Sequence, residues 1–236
     1  MSPRELRGVV FDMDGVLVDS HAAHRKAWRL FFQTIQRDVP EAELDFILDG
    51  RKRCDILRHF LGDCADSEIE EYGRRKDCIF QQVRLEVAPV PGAIRCVTEL
   101  HQEGIALALA TSASRSRARS TLHELGLLDC FPVIVTGEDV CIGKPDAAIY
   151  RLACARMGIE ASHLLAIEDA VSGIRAAVGA GLRCIGIALQ QAANTLIAEG
   201  AMEALPDLQS VSAEHLERIF RGKVSSSHFP ASAVAR

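Results

Sequence analysis

The chain has 236 residues, of which 48% are hydrophobic, and it carries a formal net charge of −5 at pH 7. This length and hydrophobic content suffice for one large domain or two smaller ones. The chain has no basic excess, which argues against nucleic acid as a partner. Its sequence contains no uncharged apolar run near the roughly 20 residues of a membrane span, and residues 1–8 lack the long apolar stretch of a secretory signal.

Eight cysteines are spread along the chain, and no two of them form a Cys-x-x-Cys pair. Their spacing therefore does not indicate structural zinc or a dithiol redox site. Several fall in apolar segments, which is typical of free, buried thiols in a reducing compartment. We expect a cytoplasmic protein that has no membrane partner and is either a monomer or a small homo-oligomer.

Short apolar runs alternate with helical patterns along most of the chain. Strands are predicted at residues 8–11, 105–110, 133–136, 164–167 and 184–187. Helices are predicted at residues 93–103, 115–125, 147–157 and 172–180. Strands that alternate with helices predict an α/β fold, in which a parallel sheet is covered by helices on both faces.

The segment from Asp19 to about Ala88 interrupts this alternation, because it contains no convincing strand. Ser67 followed by Glu70 has the spacing of a capping box and predicts the start of a long helix. An earlier helix is predicted because apolar residues share one helical face. These residues are Ala23, Ala27, Leu30, Phe31 and Ile35.

We therefore predict an all-helical insertion at residues 19–88, which divides the core into residues 1–18 and 89–222. The insertion would lie over the carboxyl end of the first strand. A lid that closes on a bound substrate is one use of such a segment, and a structural subdomain without motion is the alternative. Residues 223–236 contain three consecutive serines and are predicted to form a weakly ordered tail.

Paired carboxylates follow the first predicted strand. Asp12 and Asp14 come directly after the apolar residues 9–11, and Gly15 then allows a sharp turn of the backbone. In open α/β sheets the ligand site lies at the carboxyl ends of the strands. Two carboxylates there would not easily both ionise without a cation, and Mg2+ prefers oxygen ligands. A simple Asp-x-Asp-Gly turn is the alternative interpretation.

Hydroxyl groups follow the second predicted strand, at Thr111, Ser112 and Ser114. They precede a helix that begins near Arg115, and hydroxyls beside a helix N-terminus form an anion site. An ordinary N-cap is the alternative. After the third strand, Lys144 is expected to be either a fixed cation beside a loop or a surface lysine. Pro145 stands where a Walker phosphate-binding loop requires Ser or Thr, so that loop is excluded.

A second acidic pair, Glu168 and Asp169, follows the fourth predicted strand. Acidic residues at the N-terminus of the next helix are the alternative explanation. The ends of parallel strands share one edge of a sheet, so the acidic pairs, the hydroxyls and the lysine would meet there. A cation, an anion site and a carboxylate cage are the parts that phosphoryl transfer requires.

These segments resemble, in the same order, the four motifs of the haloacid dehalogenase (HAD) superfamily. The matching residues are 11–15, 111–112, 143–146 and 168–169. The resemblance implies a Rossmann-like α/β core with a parallel sheet, and the all-helical insertion resembles the C1 cap of this superfamily. The sequence also resembles the branch of beta-phosphoglucomutase-like phosphatases and mutases. The residues that carry this second resemblance are 16–20, His24, 27–28, 50–53 and 75–76.

The resemblance implies a role for each core residue. Asp12 is expected to be the nucleophile that forms an aspartyl-phosphate, and Asp14 the general acid and base. Thr111 would hold a phosphoryl oxygen, and Lys144 would bridge the nucleophile and the phosphoryl group. Mg2+ is the implied cofactor. Its expected ligands are Asp12, the backbone carbonyl of Asp14, Asp169 and, in part, Glu168.

The resemblance also implies substrate contacts. Arg53 corresponds to a residue that binds a distal phosphate in the mutases, and His24 and Lys76 correspond to functional cap positions. Further expected contacts are Ser112, Ser114 and Arg115. A solvated basic face is the alternative for the segments around Arg53 and Lys76. The other histidines, His21 among them, are expected to have ordinary surface or core roles.

Asp14 also distinguishes between reactions, because the dehalogenases of this superfamily lack an acid at that position. The expected activity is that of a Mg2+-dependent phosphatase, which hydrolyses a small phosphorylated metabolite such as a sugar phosphate through an aspartyl-phosphate. A beta-phosphoglucomutase or related sugar-phosphate mutase is the alternative, since a sugar hydroxyl can replace water as the acceptor. A catalytically silent binding module is a further alternative. A dinucleotide-binding domain is excluded, because Gly179 and Gly181 follow a helix and precede a strand.

Overall fold

The computed structural model describes residues 5–84 and 87–222. The tail predicted at residues 223–236 lies outside the described residues. Among the helices of the described part, none combines the length and the apolarity that crossing a membrane requires.

Strands and helices alternate through most of the described part. The strands are β1 (Gly8–Phe11), β2 (Val18–Asp19), β3 (Ala88–Pro89), β4 (Ala106–Thr111), β5 (Val133–Thr136), β6 (Leu164–Glu168), β7 (Arg183–Ile187) and β8 (Ala204–Leu205). The helices are α1 (His21–Thr34), α2 (Arg53–Leu61), α3 (Asp66–Val83), α4 (Ala93–Gln102), α5 (Arg115–Glu124), α6 (Ala148–Met157), α7 (Val171–Gly179), α8 (Gln190–Ala198) and α9 (Ala213–Phe220). A 3-10 helix (Glu41–Leu48) lies between α1 and α2.

The core is a six-stranded sheet with the strand order β5-β4-β1-β6-β7-β8. Every neighbouring pair in it is parallel. β1 lies near the middle, and its Phe11 is opposite Leu109 of β4 on one side and Ile167 of β6 on the other. The predicted α/β fold with a parallel sheet is therefore confirmed.

Both faces of the sheet are covered by apolar side chains. Val9 and Phe11 of β1 belong to the hydrophobic cluster on one face, and Val10 belongs to the cluster on the other. Alternate side chains of a strand point to opposite faces, so a strand that is buried on both faces is apolar throughout. This is why an unbroken apolar run was enough to predict β1.

The helices between β2 and β3 have a hydrophobic cluster of their own. Trp28, Phe31 and Phe60 are buried in it, away from the sheet. β2 and β3 pair antiparallel, which brings the two ends of the insertion together. The helical character predicted for this segment is observed, while the division into a cap at residues 19–88 and a core at residues 1–18 and 89–222 stays a prediction.

Some details of the elements differ from the sequence predictions. The capping box predicted at Ser67 and Glu70 is wrong, because Ala65 precedes the helix and its N–H donates to the Glu68 carboxylate at 2.9 Å. Leu30 is 38% exposed, because aromatic residues occupy the buried face of α1. The strands β2, β3 and β8 were not predicted, since two residues are too few for a periodic pattern.

Candidate active site

The carboxyl ends of β1, β4 and β6 meet at one edge of the sheet. β1 pairs with both other strands, so Asp12, Thr111 and Glu168 stand side by side at the ends of neighbouring strands. Asp169 follows directly after β6, and Lys144 comes from the segment between β5 and α6. The structure thus brings residues of all four sequence motifs to one place, as a parallel sheet requires.

Lys144 is buried among the acidic groups, so the surface-lysine interpretation is wrong. Its ammonium group donates hydrogen bonds to Asp12 Oδ1 at 2.5 Å, to Glu168 Oε1 at 2.6 Å and to the Ala110 carbonyl at 3.1 Å. Burial would lower the pKa of Lys144, but the charges and hydrogen bonds of Asp12 and Glu168 outweigh burial and raise that pKa. Lys144 therefore stays charged next to Asp12.

Three carboxylates are crowded around this ammonium group. Oxygen atoms of Asp12, Glu168 and Asp169 all lie within 4.8 Å of one another. Burial is the main reason that the pKa of Asp12 is raised to about 7 and that of Asp169 to about 6, and neighbouring carboxylates add to both shifts. A hard cation with oxygen ligands would stabilise all three as carboxylates. The donor set therefore fits a divalent metal ion.

The turn after Asp14 requires glycine. Gly15 has a φ of +77°, and a Cβ at this position would overlap the Asp169 carboxylate. Left-handed backbone and lack of space both exclude a side chain here. Glycine therefore allows the first motif to pack directly against the last.

His21 lies next to the carboxylate cluster, although nothing in the sequence was a reason to place it there. Its Nε2 is 2.8 Å from Asp169 Oδ2, and this hydrogen bond raises the pKa of His21. No spacing in the sequence distinguishes His21 from the other histidines. The contact joins the start of α1 to the end of β6 and exists only in the folded chain.

Asp14 is held by three side chains. Its Oδ1 accepts hydrogen bonds from Ser20 Oγ at 2.5 Å, Arg117 Nη1 at 2.8 Å and His24 Nε2 at 3.3 Å, and its Oδ2 accepts one from Arg117 Nη2 at 2.5 Å. Burial alone would raise the pKa of Asp14. The charge and hydrogen bonds of Arg117, assisted by His24, outweigh burial and hold that pKa well below its usual value. Asp14 is therefore an ionised carboxylate.

Arg117 was not among the residues that the sequence singled out for the site. It lies in the first turn of α5, whose N-cap Ser114 accepts a hydrogen bond from the Arg117 N–H at 3.4 Å. The predicted start of this helix could have indicated Arg117, because a helix that begins at the ligand edge of the sheet places the side chains of its first turn near that edge. Arg115 instead is half exposed and pairs with Asp139 at 2.8 Å, outside the lining of the cleft.

A cleft of about 290 Å³ lies between the strand ends and the insertion. This volume is close to the lower limit for small-molecule sites, roughly 300 Å³. The predicted site residues that line it are Asp12, Asp14, His24, Arg53, Lys76, Thr111, Ser112, Ser114 and Asp169. Lys144 and Glu168 do not line it, and both are buried.

The insertion contributes a lysine and a histidine that share one aromatic ring. Lys76 Nζ lies 4.8 Å from the centre of the Phe80 ring, and the His24 ring stacks on Phe80 at 4.3 Å. Burial lowers the pKa of Lys76 to about 7 and that of His24 to about 3, and neighbouring positive charges add to both shifts. His24 is therefore neutral. Its Nδ1 lies 3.1 Å from Lys76 Nζ and accepts from it, while its Nε2–H donates to Asp14.

The remaining predicted contacts already have protein partners. Arg53 pairs with Asp77 of α3, and Ser112 Oγ donates to the Gly50 carbonyl at 2.6 Å. The solvated-face interpretation is wrong for Lys76, which is buried. It stays open for Arg53, whose side chain is one-third exposed.

Comparison with known proteins gives consistent matches over most of the chain. The chain is 30% identical to validoxylamine A 7'-phosphate phosphatase of Streptomyces hygroscopicus subsp. limoneus, over 88% of this chain and 96% of that protein. It is also 30% identical to beta-phosphoglucomutase of Bacillus subtilis, over 77% of this chain and 83% of that protein. Among solved structures, CbbY from Rhodobacter sphaeroides in complex with phosphate superposes with a TM-score of 0.73 at 29% identity, over 87% of this chain and 96% of that one.

The sequence-family model of the haloacid dehalogenase-like hydrolases matches residues 6–181, which include the four motifs and the insertion. The superposition on CbbY and the parallel sheet with its acidic strand ends agree with this match. The chain therefore belongs to the haloacid dehalogenase-like hydrolase family.

Proposed function

We propose that this enzyme is a Mg2+-dependent phosphatase that hydrolyses a small phosphorylated metabolite of the sugar-phosphate class through an aspartyl-phosphate. The observation that carries the proposal is the arrangement around Asp12. This carboxylate lines the cleft, is held by the buried Lys144, and lies in the chain two residues before the second carboxylate, Asp14. Phosphoryl transfer depends mainly on such positioning and on charge neutralisation.

The reaction has two steps. In the first, Asp14, which is ionised in the free protein, has taken up a proton from solvent as the substrate binds. A carboxylate oxygen of Asp12 then attacks phosphorus, the ester P–O bond breaks, and the leaving oxygen takes this proton from Asp14. In the second, Asp14 takes a proton from a water molecule as that water attacks phosphorus. The bond to Asp12 breaks and inorganic phosphate leaves. Lys144 offsets negative charge in both steps, and Thr111 at the end of β4 holds a phosphoryl oxygen.

Mg2+ is the proposed cofactor, because the buried oxygen donors of Asp12, Glu168 and Asp169 converge. With the backbone carbonyl of Asp14, these residues would hold the ion. When bound, Mg2+ neutralises charge on the phosphoryl group. Tyr150 donates a hydrogen bond of 2.5 Å to Glu168 Oε1 and so orients this carboxylate within the set.

The insertion is proposed to be a cap that recognises the non-reacting part of the substrate. His24, Arg53 and Lys76 face the cleft from it, and Ser112 and Ser114 face the cleft from the core. Arg115 would contact a substrate only after leaving Asp139. A phosphorylated, hydroxyl-rich metabolite matches this mixture of cations and hydroxyls, and a phosphatase of validoxylamine A 7'-phosphate is among the relatives.

A sugar-phosphate mutase is the second candidate. Arg53 and Lys76 in the cleft favour a mutase, because a mutase must hold one phosphate of a bisphosphorylated sugar while the other phosphate is transferred. A relative with this activity is also similar over most of the chain. We favour the phosphatase because the similarity to the phosphatase relative extends over more of both chains.

The test is a product assay with Mg2+ across phosphorylated sugars and small acids, including beta-glucose 1-phosphate with a trace of its 1,6-bisphosphate. Inorganic phosphate and glucose 6-phosphate are measured in each reaction. Free phosphate without isomerised sugar is expected. Glucose 6-phosphate with little free phosphate would instead establish the mutase.

Two variants make this assay specific for the proposed chemistry. Asp12→Asn is expected to abolish turnover while the protein stays folded, since an amide is a poor nucleophile. Asp129→Asn is the matched control and should keep wild-type activity, because Asp129 is exposed, lies between α5 and β5 and does not line the cleft. Turnover that survives in Asp12→Asn would show that Asp12 is not the nucleophile and that another mechanism is present.

The proposed setting is the cytoplasm, because all eight cysteines are free thiols. The protein is proposed to act as a monomer or small homo-oligomer on a small-molecule substrate, without nucleic-acid or membrane partners.

A further inference from the structure

Arg117 is a largely buried cation at the border between the core and the insertion. Its side chain is only 12% exposed. It rises from the first turn of the core helix α5, and its guanidinium carbon lies 5.4 Å from the centre of the Phe80 ring of α3. An arginine that stacks on an aromatic face and is largely desolvated has little freedom to move.

The guanidinium holds the Asp14 carboxylate with two parallel hydrogen bonds, of 2.8 Å from Nη1 and 2.5 Å from Nη2. Such a bidentate pair fixes the plane of the carboxylate as well as its position. Ser20 and His24 contact only Oδ1. Without Arg117, the carboxylate would therefore be tethered through one oxygen and could rotate about it.

The two carboxylate oxygens of Asp14 accept different numbers of hydrogen bonds. A carboxylate has about four lone-pair sites on its two oxygens. Oδ1 accepts from three donors, whereas the contacts above give Oδ2 a single donor, Arg117 Nη2. Asp14 lines the cleft and is 23% exposed. Oδ2 is therefore the oxygen with capacity left for a proton that is exchanged with a substrate.

We propose that Arg117 is a positioning residue, which orients the Asp14 carboxylate so that Oδ2 faces the leaving oxygen of the substrate. This inference rests on the proposed function, in which Asp14 protonates the leaving group. Arg117 lines the cleft as well, but the role proposed for it is carried out through Asp14. Its contribution is to keep the proton donor in line while the P–O bond breaks.

The role predicts a dependence on the leaving group. p-Nitrophenolate leaves readily without a proton, whereas phenolate is more basic and benefits from general acid catalysis, which contributes roughly 10²- to 10⁴-fold. The two aryl phosphates differ little in size. The quantity to compare is kcat/KM, because it reports the steps through loss of the leaving group and is independent of the later hydrolysis of the aspartyl-phosphate.

The test measures kcat/KM for phenyl phosphate and p-nitrophenyl phosphate in the wild type, Asp14→Ala, Arg117→Met and Arg117→Lys. Methionine keeps the apolar stem against Phe80 but has no donors. We expect Arg117→Met to lose about tenfold more activity on phenyl phosphate than on p-nitrophenyl phosphate, a fraction of the full effect of the acid. Arg117→Lys, which keeps one cationic donor, should lie between Arg117→Met and the wild type.

Controls separate this proposal from the one on which it rests. Arg119→Met removes an exposed arginine from the same helix and should change neither rate. Asp14→Ala should show the same preference as Arg117→Met, and more strongly. If Asp14→Ala loses activity equally on both substrates, the acid role in the proposed function is wrong. If Asp14→Ala shows the preference and a folded Arg117→Met loses equally on both, only the positioning role is overturned.

Discussion

Replacing Lys144 by methionine tests the electrostatics of the site most directly. The change removes one ammonium group but keeps an unbranched apolar side chain of similar length. Asp12 and Glu168 then stay buried without the donor that lies 2.5 and 2.6 Å from them. Removing one partner of a buried ion pair costs about 3–5 kcal/mol. For a chain of this size that corresponds to a fall in Tm on the order of 10 °C.

The assay is thermal unfolding in EDTA at about pH 7.5 and about pH 5. Without Lys144, the folded-state pKa of Asp12 rises further above its value of about 7. An acid whose folded-state pKa is raised binds its proton more tightly in the folded than in the unfolded chain. The folded state of the variant is therefore destabilised at pH values above the unfolded-state pKa, and this destabilisation decreases as the pH falls. We expect a smaller loss of stability at pH 5 than at pH 7.5.

A second substitution supplies the matched control. Glu168→Gln removes one of the two carboxylate charges that are left without the Lys144 ammonium group. It keeps an oxygen that can accept the hydrogen bond from Tyr150. The double variant Lys144→Met with Glu168→Gln should be more stable than Lys144→Met alone, so the two changes are not additive. A loss below about 1 kcal/mol, the same loss at both pH values, or additive losses in the double variant would each refute this account of the cluster.

Three further outcomes are expected. EDTA should stop phosphate release and added Mg2+ should restore it and raise Tm, since an ion that binds only the folded chain stabilises it; activity that persists in EDTA would contradict the metal site. Arg53→Ala should lower kcat/KM for the best sugar phosphate far more than for p-nitrophenyl phosphate, and equal losses would assign Arg53 to a solvated face. Asp139→Asn should lower the stability at pH 7 by about 1–3 kcal/mol, because Asp139 accepts from Thr136, Arg115 and Arg156. Burial would raise the pKa of Asp139, but these donors outweigh burial and depress that pKa. The stabilisation by Asp139 is therefore present above the unfolded-state pKa near 4 and is lost as the pH falls below it. A Tm difference between variant and wild type that grows below pH 4 would contradict this prediction.

Local patterns carried most of the information about the fold. β1 and β5 lie where their apolar runs predict them, and β1 is apolar at every position because it is buried on both faces. The acidic, hydroxyl and lysine motifs could be placed together before any contact was known, because parallel strands end at one edge of their sheet. The very short strands and the start of α3 could not be predicted, since tertiary pairing and a single cap contact decide them.

The sequence by itself determined the order of the elements, the family resemblance and the type of chemical group at each strand end. Only the tertiary structure decided how these groups interact. Lys144 could be read as a surface lysine until its burial between Asp12 and Glu168 was seen. Arg117 on Asp14 and His21 on Asp169 join residues that are far apart in the chain. Neither contact follows a local periodicity, because each depends on where the insertion and the core helices pack around the cleft.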